Sequence, residues 1–304
     1  MIKAQRPSTL KLYASYIRKW TEFASDRGYD FLMPSVPQGL EFLEFLFSQD
    51  NRRYSAINTA RSALSLLIVT PEGSFGDHRD VIRFMKGINQ LKPSLPRYID
   101  TWDPDLVLQL FRTWAPASSL SLDLLTYKTV VLLLLVSGRR PQIIRNLSVQ
   151  NMKISANSFT FFLEQSDLKE GRKDYKPEPL KLRKYPVDKR LCIYLYLTEY
   201  LKRTLEIRGA EKSLFIITTK PYGKPSSDTI SRWIKSVLNH AGIDTQHFAP
   251  GSTRAAANSK ALRQGTPIGE IMQSAGWVRE STFTKYYKKP LATSNSYAQN
   301  VLNS

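Results

Sequence analysis

Gly251-Ser252-Thr253-Arg254-Ala255-Ala256, then Ala275-Gly276-Trp277, then Thr282-Phe283-Thr284-Lys285-Tyr286-Tyr287 decide how this chain of 304 residues is read. Their spacing puts an arginine on the first turn of one helix, an indole in a tight turn, and a tyrosine on the next short helix. Upstream, Ser137-Gly138-Arg139-Arg140-Pro141-Gln142 supplies a second arginine. The set holds cations, an indole donor and a phenol, and no metal ligands. Such a set suits nucleophilic attack on a phosphodiester.

Composition points the same way. Lys and Arg number 44 against 26 acids, a net charge of +18, with a pI near 9.9. That excess predicts attraction to a polyanion, the main source of nucleic-acid affinity, although a basic chain also suits a membrane surface or plain solubility. The single cysteine, Cys192, excludes an internal disulfide framework and reads as a small buried hydrophobe in a reducing compartment. The start, Met1-Ile2-Lys3-Ala4-Gln5-Arg6-Pro7, has no signal-peptide core. The most apolar run, Val130 to Val136, is too short to span a bilayer and predicts a core helix. The expectation is a soluble intracellular protein with no membrane partner.

Periodicity divides the chain near residues 92–104. From Ser8 to about Gln90 it is helical: Leu10, Tyr13, Ile17, Trp20 and Ala24 recur at three- and four-residue steps, and Gly28 is placed to end that helix. Pro37 sits in the first turn of a second helix that carries Leu40, Leu43, Leu46 and Phe47 inward. Ser55 is placed to cap a third, with Ile57, Ala60, Leu64 and Leu67 on one face. Lys11, Arg18, Lys19, Arg52, Arg53 and Arg61 lie mostly off the apolar stripes, as a solvated face or as one side of a DNA groove. Lys92-Pro93-Ser94-Leu95-Pro96 reads as a short semi-rigid linker. The expected domains are 1–95 and 96–304. Beyond the linker come helices near 104–114 and 121–137. Strands at Met152–Ile154 and Phe159–Leu163 flank a turn at Ala156-Asn157-Ser158, and a third strand runs over Leu180–Lys184. A polar loop, Lys169 to Asp174, lies between the strands. Helices return from about 188, one of them capped by Ser227 or Asp228 and running through Leu238. The fold class is mainly α with a small antiparallel β-sheet (α+β).

Cleavage of a phosphodiester by an enzyme nucleophile needs stabilised non-bridging oxygens, a nucleophile and a proton for the leaving 5′-oxygen. Arg140 and Arg254 can supply the first, since guanidinium offers planar paired donors and stays charged when desolvated. Tyr286 or Tyr287 can supply the second and Lys169, from the polar loop, the third. Trp277 can give an indole N–H to the phosphate. No cofactor is required, because a phosphotyrosine bond conserves the energy needed to rejoin strands. Each residue taken singly is explained as well by salt bridging or packing; their order and spacing together carry the reading.

Those residues resemble the tyrosine recombinase, or phage-integrase, family. They look closest to the recombinases of DIRS-like retrotransposons. Gly138 to Gln142 is similar to that group's Gly-x-Arg-x-Gln box, Lys169 to Arg172 to its Lys-x-x-Arg hairpin, and Ser252 to Ala256 to its Ser-x-Arg-Ala-Ala helix start. Ala275 to Trp277 and Thr282 to Tyr287 are similar to its Ala-Gly-Trp and Thr-Phe-x-Lys-Phe-Tyr segments. The resemblance spans nearly the whole chain. It implies a helical N-terminal core-binding domain plus a catalytic domain that together clamp double-stranded DNA. It also implies a 3′-phosphotyrosine intermediate, a homo-oligomer (a tetramer on paired DNA sites) and action in the nucleus.

Two positions depart from the family. Where it usually has a histidine, three residues before the second arginine, this chain has Gly251. Glycine can neither orient a phosphate nor accept a proton, and His247 is close but in the wrong register. The second departure is the pair of tyrosines: the common spacing from the tryptophan points to Tyr286 and the DIRS-like ending to Tyr287. The reading favours Tyr287. Gly251 also keeps open a rival, a DNA-binding relic that no longer cuts. A metal-dependent transposase would need clustered carboxylates, and Asp and Glu are scattered. A zinc-finger regulator would need ligand spacing that Cys192, His78, His240 and His247 lack.

Overall fold

The computed structural model describes residues 7–70, 73–93, 97–164, 178–277 and 280–292. The chain forms two compact units, residues 1–96 and 97–304. Within the described residues it is mainly helical with a small antiparallel sheet.

The first unit is built from α1 (Pro7–Asp26), α2 (Val36–Ser48), α3 (Tyr54–Leu64) and α4 (Arg79–Leu91). α1 stops short of Gly28, whose φ of +67° suits a residue without a side chain. α2 begins with Pro37 in its first turn and a reciprocal cap between Ser35 and Gln38. Trp20, Phe23 and Phe42 pack edge to face or tilted at its centre, surrounded by Leu43, Leu46, Ile57, Ala60 and Leu64. Leu40, Phe47 and Leu67, expected inside, sit half-buried at the margin. The expected cap of α3 is corrected: Arg53 holds the N-cap position, in an extended conformation and without a side-chain cap, and Ser55 lies inside the helix. The helical reading also missed a short hairpin, β1 (Val69–Thr70) with β2 (Gly73–Ser74). It delivers Phe75 onto Gly39, where a Cβ would lie 2.6 Å from the phenyl ring. Of the basic residues read as a solvated face or groove, Lys19 and Arg52 both pair with Asp50, at 2.6 and 3.0 Å.

In the second unit, α5 (Pro104–Thr113) and α6 (Leu122–Ser137) lead to a short α7 (Pro141–Asn146). A sheet follows, of β3 (Met152–Ser155), β4 (Ser158–Phe161) and β5 (Leu180–Arg183), in that spatial order and antiparallel throughout. β3 and β4 close around Ala156-Asn157, with Ser155 opposite Ser158. Phe162, Leu163 and Lys184, expected within strands, fall outside them. The Lys169–Asp174 loop lies outside the described residues. α8 (Ile193–Thr204) and α9 (Ser227–His240) complete the helical layer. The cap of α9 is Ser226, not Ser227 or Asp228: its hydroxyl accepts the Thr229 amide at 3.0 Å. The sequence offers three adjacent capping residues, and the first of them holds the extended conformation that a cap needs. Cys192 is buried, and its Sγ accepts the Tyr185 amide.

α6 is the axis of this unit, buried almost without interruption from Leu125 to Leu134, because β5, α7, α8, α9 and α10 (Thr253–Arg263) pack around it. Lys128 lies in its middle with no exposed surface. Its Nζ donates to the carbonyls of Phe111 and Trp114 at the end of α5 and faces the Tyr196 ring at 3.8 Å. Burial pushes its amine down to about 7, against a smaller upward pull from Asp188 and a downward one from Arg190. A neutral amine has two N–H groups, matching the two acceptors. Because the folded state sheds this proton well below the unfolded pKa, the unfolded chain binds more protons between pH 7 and about 10, and stability contributed here rises with pH across that window. Melting curves of wild type and Lys128→Met should diverge over it, the variant losing the rise.

Candidate active site

Three segments meet at the end of α6. Gly138 ends the helix in the left-handed conformation, φ +61°, and turns the chain so that Arg139 is buried and Arg140 holds the N-cap position of α7 in an extended conformation, half-buried and without a side-chain cap. The second segment is the start of α10. A short turn at Pro250–Ser252 precedes it, held by the Trp102 indole, which donates to Ser252 Oγ at 2.9 Å. Arg254 follows on the first turn and is 2% exposed. The third runs from α11 (Ile268–Ala275) through Gly276, at φ +71°, to Trp277 and then α12 (Glu280–Tyr286). The Arg139 guanidinium occupies the space that a Cβ on Gly276 would need, and its Nη2 donates to the Gln273 carbonyl.

Arg254, Trp277 and Tyr287 form one stack. The Arg254 guanidinium lies 4.1 Å from the Trp277 ring centroid and 5.3 Å from that of Tyr287. The two rings are 4.5 Å apart, and Phe283 backs the indole at 5.3 Å. Cation–π contact gives a buried charge partial compensation. It leaves the N–H groups in the ring planes unused: Nε and Nη2 of Arg254 and Nε1 of Trp277 are buried and have no partner among the described residues. Burial, followed by the repulsion of Arg140, brings the Arg254 guanidinium down to about 9; Tyr287 opposes this and Arg139 adds to it. Arg140 is thus within electrostatic reach of Arg254.

The polypeptide after Tyr287 is tied down. Ser259 of α10 donates to the Tyr287 carbonyl and accepts the Lys289 amide. Lys289 Nζ donates to the Tyr98 carbonyl, and Leu291 bridges to Thr101 in a parallel arrangement.

Of the residues read from the sequence, Arg140, Arg254, Trp277 and Tyr287 come together. Lys169 lies outside the described residues, as does the side chain of Tyr286, whose backbone ends α12. Gly251 is exposed, and a Cβ there would meet nothing within 4 Å. His247 is engaged elsewhere, 3.6 Å from Asp100 and packed on Tyr98 and Phe248. Sequence reasoning missed Arg139, Asn258, Ser259 and Trp102. Asn258 had a signal, a polar residue one helical turn beyond Arg254 on the same face; Trp102 had none. Among the described residues no group of three His, Cys, Asp or Glu side chains is placed to hold a metal ion, and no helix is long and apolar enough to cross a membrane.

The chain belongs to the phage integrase family, which it matches over residues 104–292. Among solved structures it is similar to the XerH site-specific recombinase bound to a palindromic difH substrate, at 10% identity over 89% of this chain and 72% of that one, TM-score 0.57. It is also similar to a lambda integrase dimer bound to a COC′ core site, at 14% identity over 95% and 91%, TM-score 0.53. A third is the Tn1549 transposon integrase in complex with circular intermediate DNA, at 12% identity over 96% and 98%, TM-score 0.50. At these identities the likeness is one of fold. No curated protein matches the chain by sequence.

A buried guanidinium with idle donors predicts an anion-dependent stability. Sulfate added at constant ionic strength should raise the melting temperature of the wild type, by binding only the folded state. In Arg254→Met, which replaces the charge by an apolar chain of similar reach, the melting temperature should be at least that of wild type without sulfate and should not respond to it.

Proposed function

We propose that this protein is a DNA strand transferase that cleaves and rejoins duplex DNA through a 3′-phosphotyrosine intermediate. The observation that carries this reading is the convergence of unpartnered Arg254 and Trp277 donors beside the Tyr287 ring. In the reaction the Tyr287 hydroxyl gives up its proton to solvent, and its oxygen attacks the scissile phosphorus. The bond from phosphorus to the 5′-oxygen breaks, and that oxygen takes a proton from Lys169. Arg140 and Arg254 hold the non-bridging oxygens as negative charge develops on them, and Trp277 donates a further N–H. Rejoining is the reverse, with a 5′-hydroxyl attacking the phosphotyrosine.

Tyr286 is the last residue of α12 and Tyr287 follows it in a turn; the contact of the Tyr287 ring with Trp277 and Arg254 supports Tyr287 as the nucleophile. The N-terminal unit acts as a core-binding domain. The protein works as a homo-oligomer, a tetramer on paired sites, in the nucleus, and originates from a mobile element of the DIRS-like kind, as the five motif boxes suggest. A second reading, a DNA-binding relic, is favoured by Gly251.

A nicked suicide duplex, built on DNA that the full chain selects by binding, separates the two readings. Wild type should form a covalent adduct that Tyr287→Phe lacks and Tyr286→Phe retains. Arg140→Ala and Arg254→Ala should each lower adduct formation by about 10²–10³-fold while most non-specific binding persists. Mapping of the adduct to Tyr286 would correct the register.

Open space at Gly251 leads to a second expectation. Gly251→His should fold as the wild type does and raise the rate of adduct formation, by up to ~10²-fold where the imidazole reaches the phosphate or the phenol. No adduct in either background would leave the relic reading standing.

A further inference from the structure

Asn258 joins the turn that carries Arg140 to the helix that carries Arg254. It is 4% exposed. Its Nδ2 donates to the Arg254 carbonyl at 2.6 Å, within α10, and to the Gly138 carbonyl at 3.3 Å, across to the end of α6. The fit admits nothing larger: a Cβ on Gly138 would fall 2.5 Å from Asn258 Oδ1 and 2.9 Å from Nδ2.

The need for such a tie follows from charge. Arg254 is buried and Arg140 half-buried, and Arg140 disfavours the charge on Arg254. Without an anion between them, like charges push the turn and the helix apart. A carboxylate bridging the gap would cancel the positive charge that a phosphate requires. A carboxamide avoids this, since it is neutral and its NH2 can serve two carbonyls at once. Hydrogen-bonding backbone to backbone, it fixes the segments rather than the guanidinium tips and leaves those free for a ligand.

We propose that Asn258 is a positioning residue that sets the spacing of the Arg140 and Arg254 guanidiniums, so that one phosphate is gripped by both. The role rests on the phosphate-clamp reading above. Asn258 touches no substrate and acts through the arginines. Its loss therefore matters in proportion to how much charge the clamp must neutralise.

The test compares wild type, Asn258→Ala and Asn258→Ser in the full chain. Two suicide duplexes are used, one with an ordinary scissile phosphate and one with a neutral methylphosphonate. On the phosphodiester, Asn258→Ala should slow adduct formation by about 10²-fold, the usual penalty of small misplacement, with duplex affinity unchanged. On the methylphosphonate, which lacks the anionic oxygen, the deficit should largely vanish. Asn258→Ser can bond the carbonyl one turn back but cannot reach Gly138, so it should behave as Asn258→Ala. Equal slowing on both duplexes, or recovery in Asn258→Ser, would overturn the role. A readout independent of cleavage is the Trp277 indole N–H resonance under titration with inorganic sulfate. A saturable shift in wild type that needs more sulfate in Asn258→Ala is expected. An unchanged midpoint would remove Asn258 alone from the scheme, and no shift in wild type would bring down the clamp reading itself.

Discussion

Arg254 carries a charge into the interior where no carboxylate among the described residues pairs with it, and the surrounding architecture can be understood as what makes that tolerable. Burying an unpaired cation is costly enough to depress its own proton affinity, which the value of about 9 reflects. The Trp277 face offsets part of the cost, and the Tyr287 ring a smaller part. Trp102 fixes the turn ahead of the helix, and Asn258 fixes the turn across from it. A free guanidinium would relax by swinging into water. Here it is packed on the indole, so the instability stays local and is available to a bound anion. Such held strain suits a site that must favour a charged transition state over an empty pocket.

What the sequence disclosed follows the range of the interactions concerned. Gly28, Pro37, the Ala156-Asn157 turn and the apolar run of α6 act over a few residues, so the mainly helical fold with its small sheet is legible in the sequence. Arg254 and Trp277 stood out because glycine and helix starts punctuate their neighbourhoods. Caps were harder: Ser226, Ser227 and Asp228 are chemically equivalent candidates, and tertiary packing chooses among them. Contacts across long separations left little trace. Gly138 and Asn258 are 120 residues apart and Trp102 and Ser252 150 apart; nothing in a single sequence links either pair. The β1–β2 hairpin was lost for a similar reason. Its purpose is to place Phe75 against Gly39, which no local pattern announces.

Charge neutralisation and proton transfer are separate requirements, and this chain treats them differently. The cationic side is dense: Arg140 and Arg254, with Arg139 behind them. Among the described residues the proton-handling side is thin, since Gly251 contributes no side chain and His247 is committed to Asp100 and its aromatic neighbours. For the reaction proposed above, that imbalance predicts a centre that grips phosphate better than it moves protons.

The parallel bridge between Thr101 and Leu291, with Lys289 on the Tyr98 carbonyl, forms a seam between residues 98–101 and residues 289–291 of the second unit. The seam lies only a few residues from Tyr287. Tension applied through residue 97 would therefore reach the tyrosine before it reached the sheet.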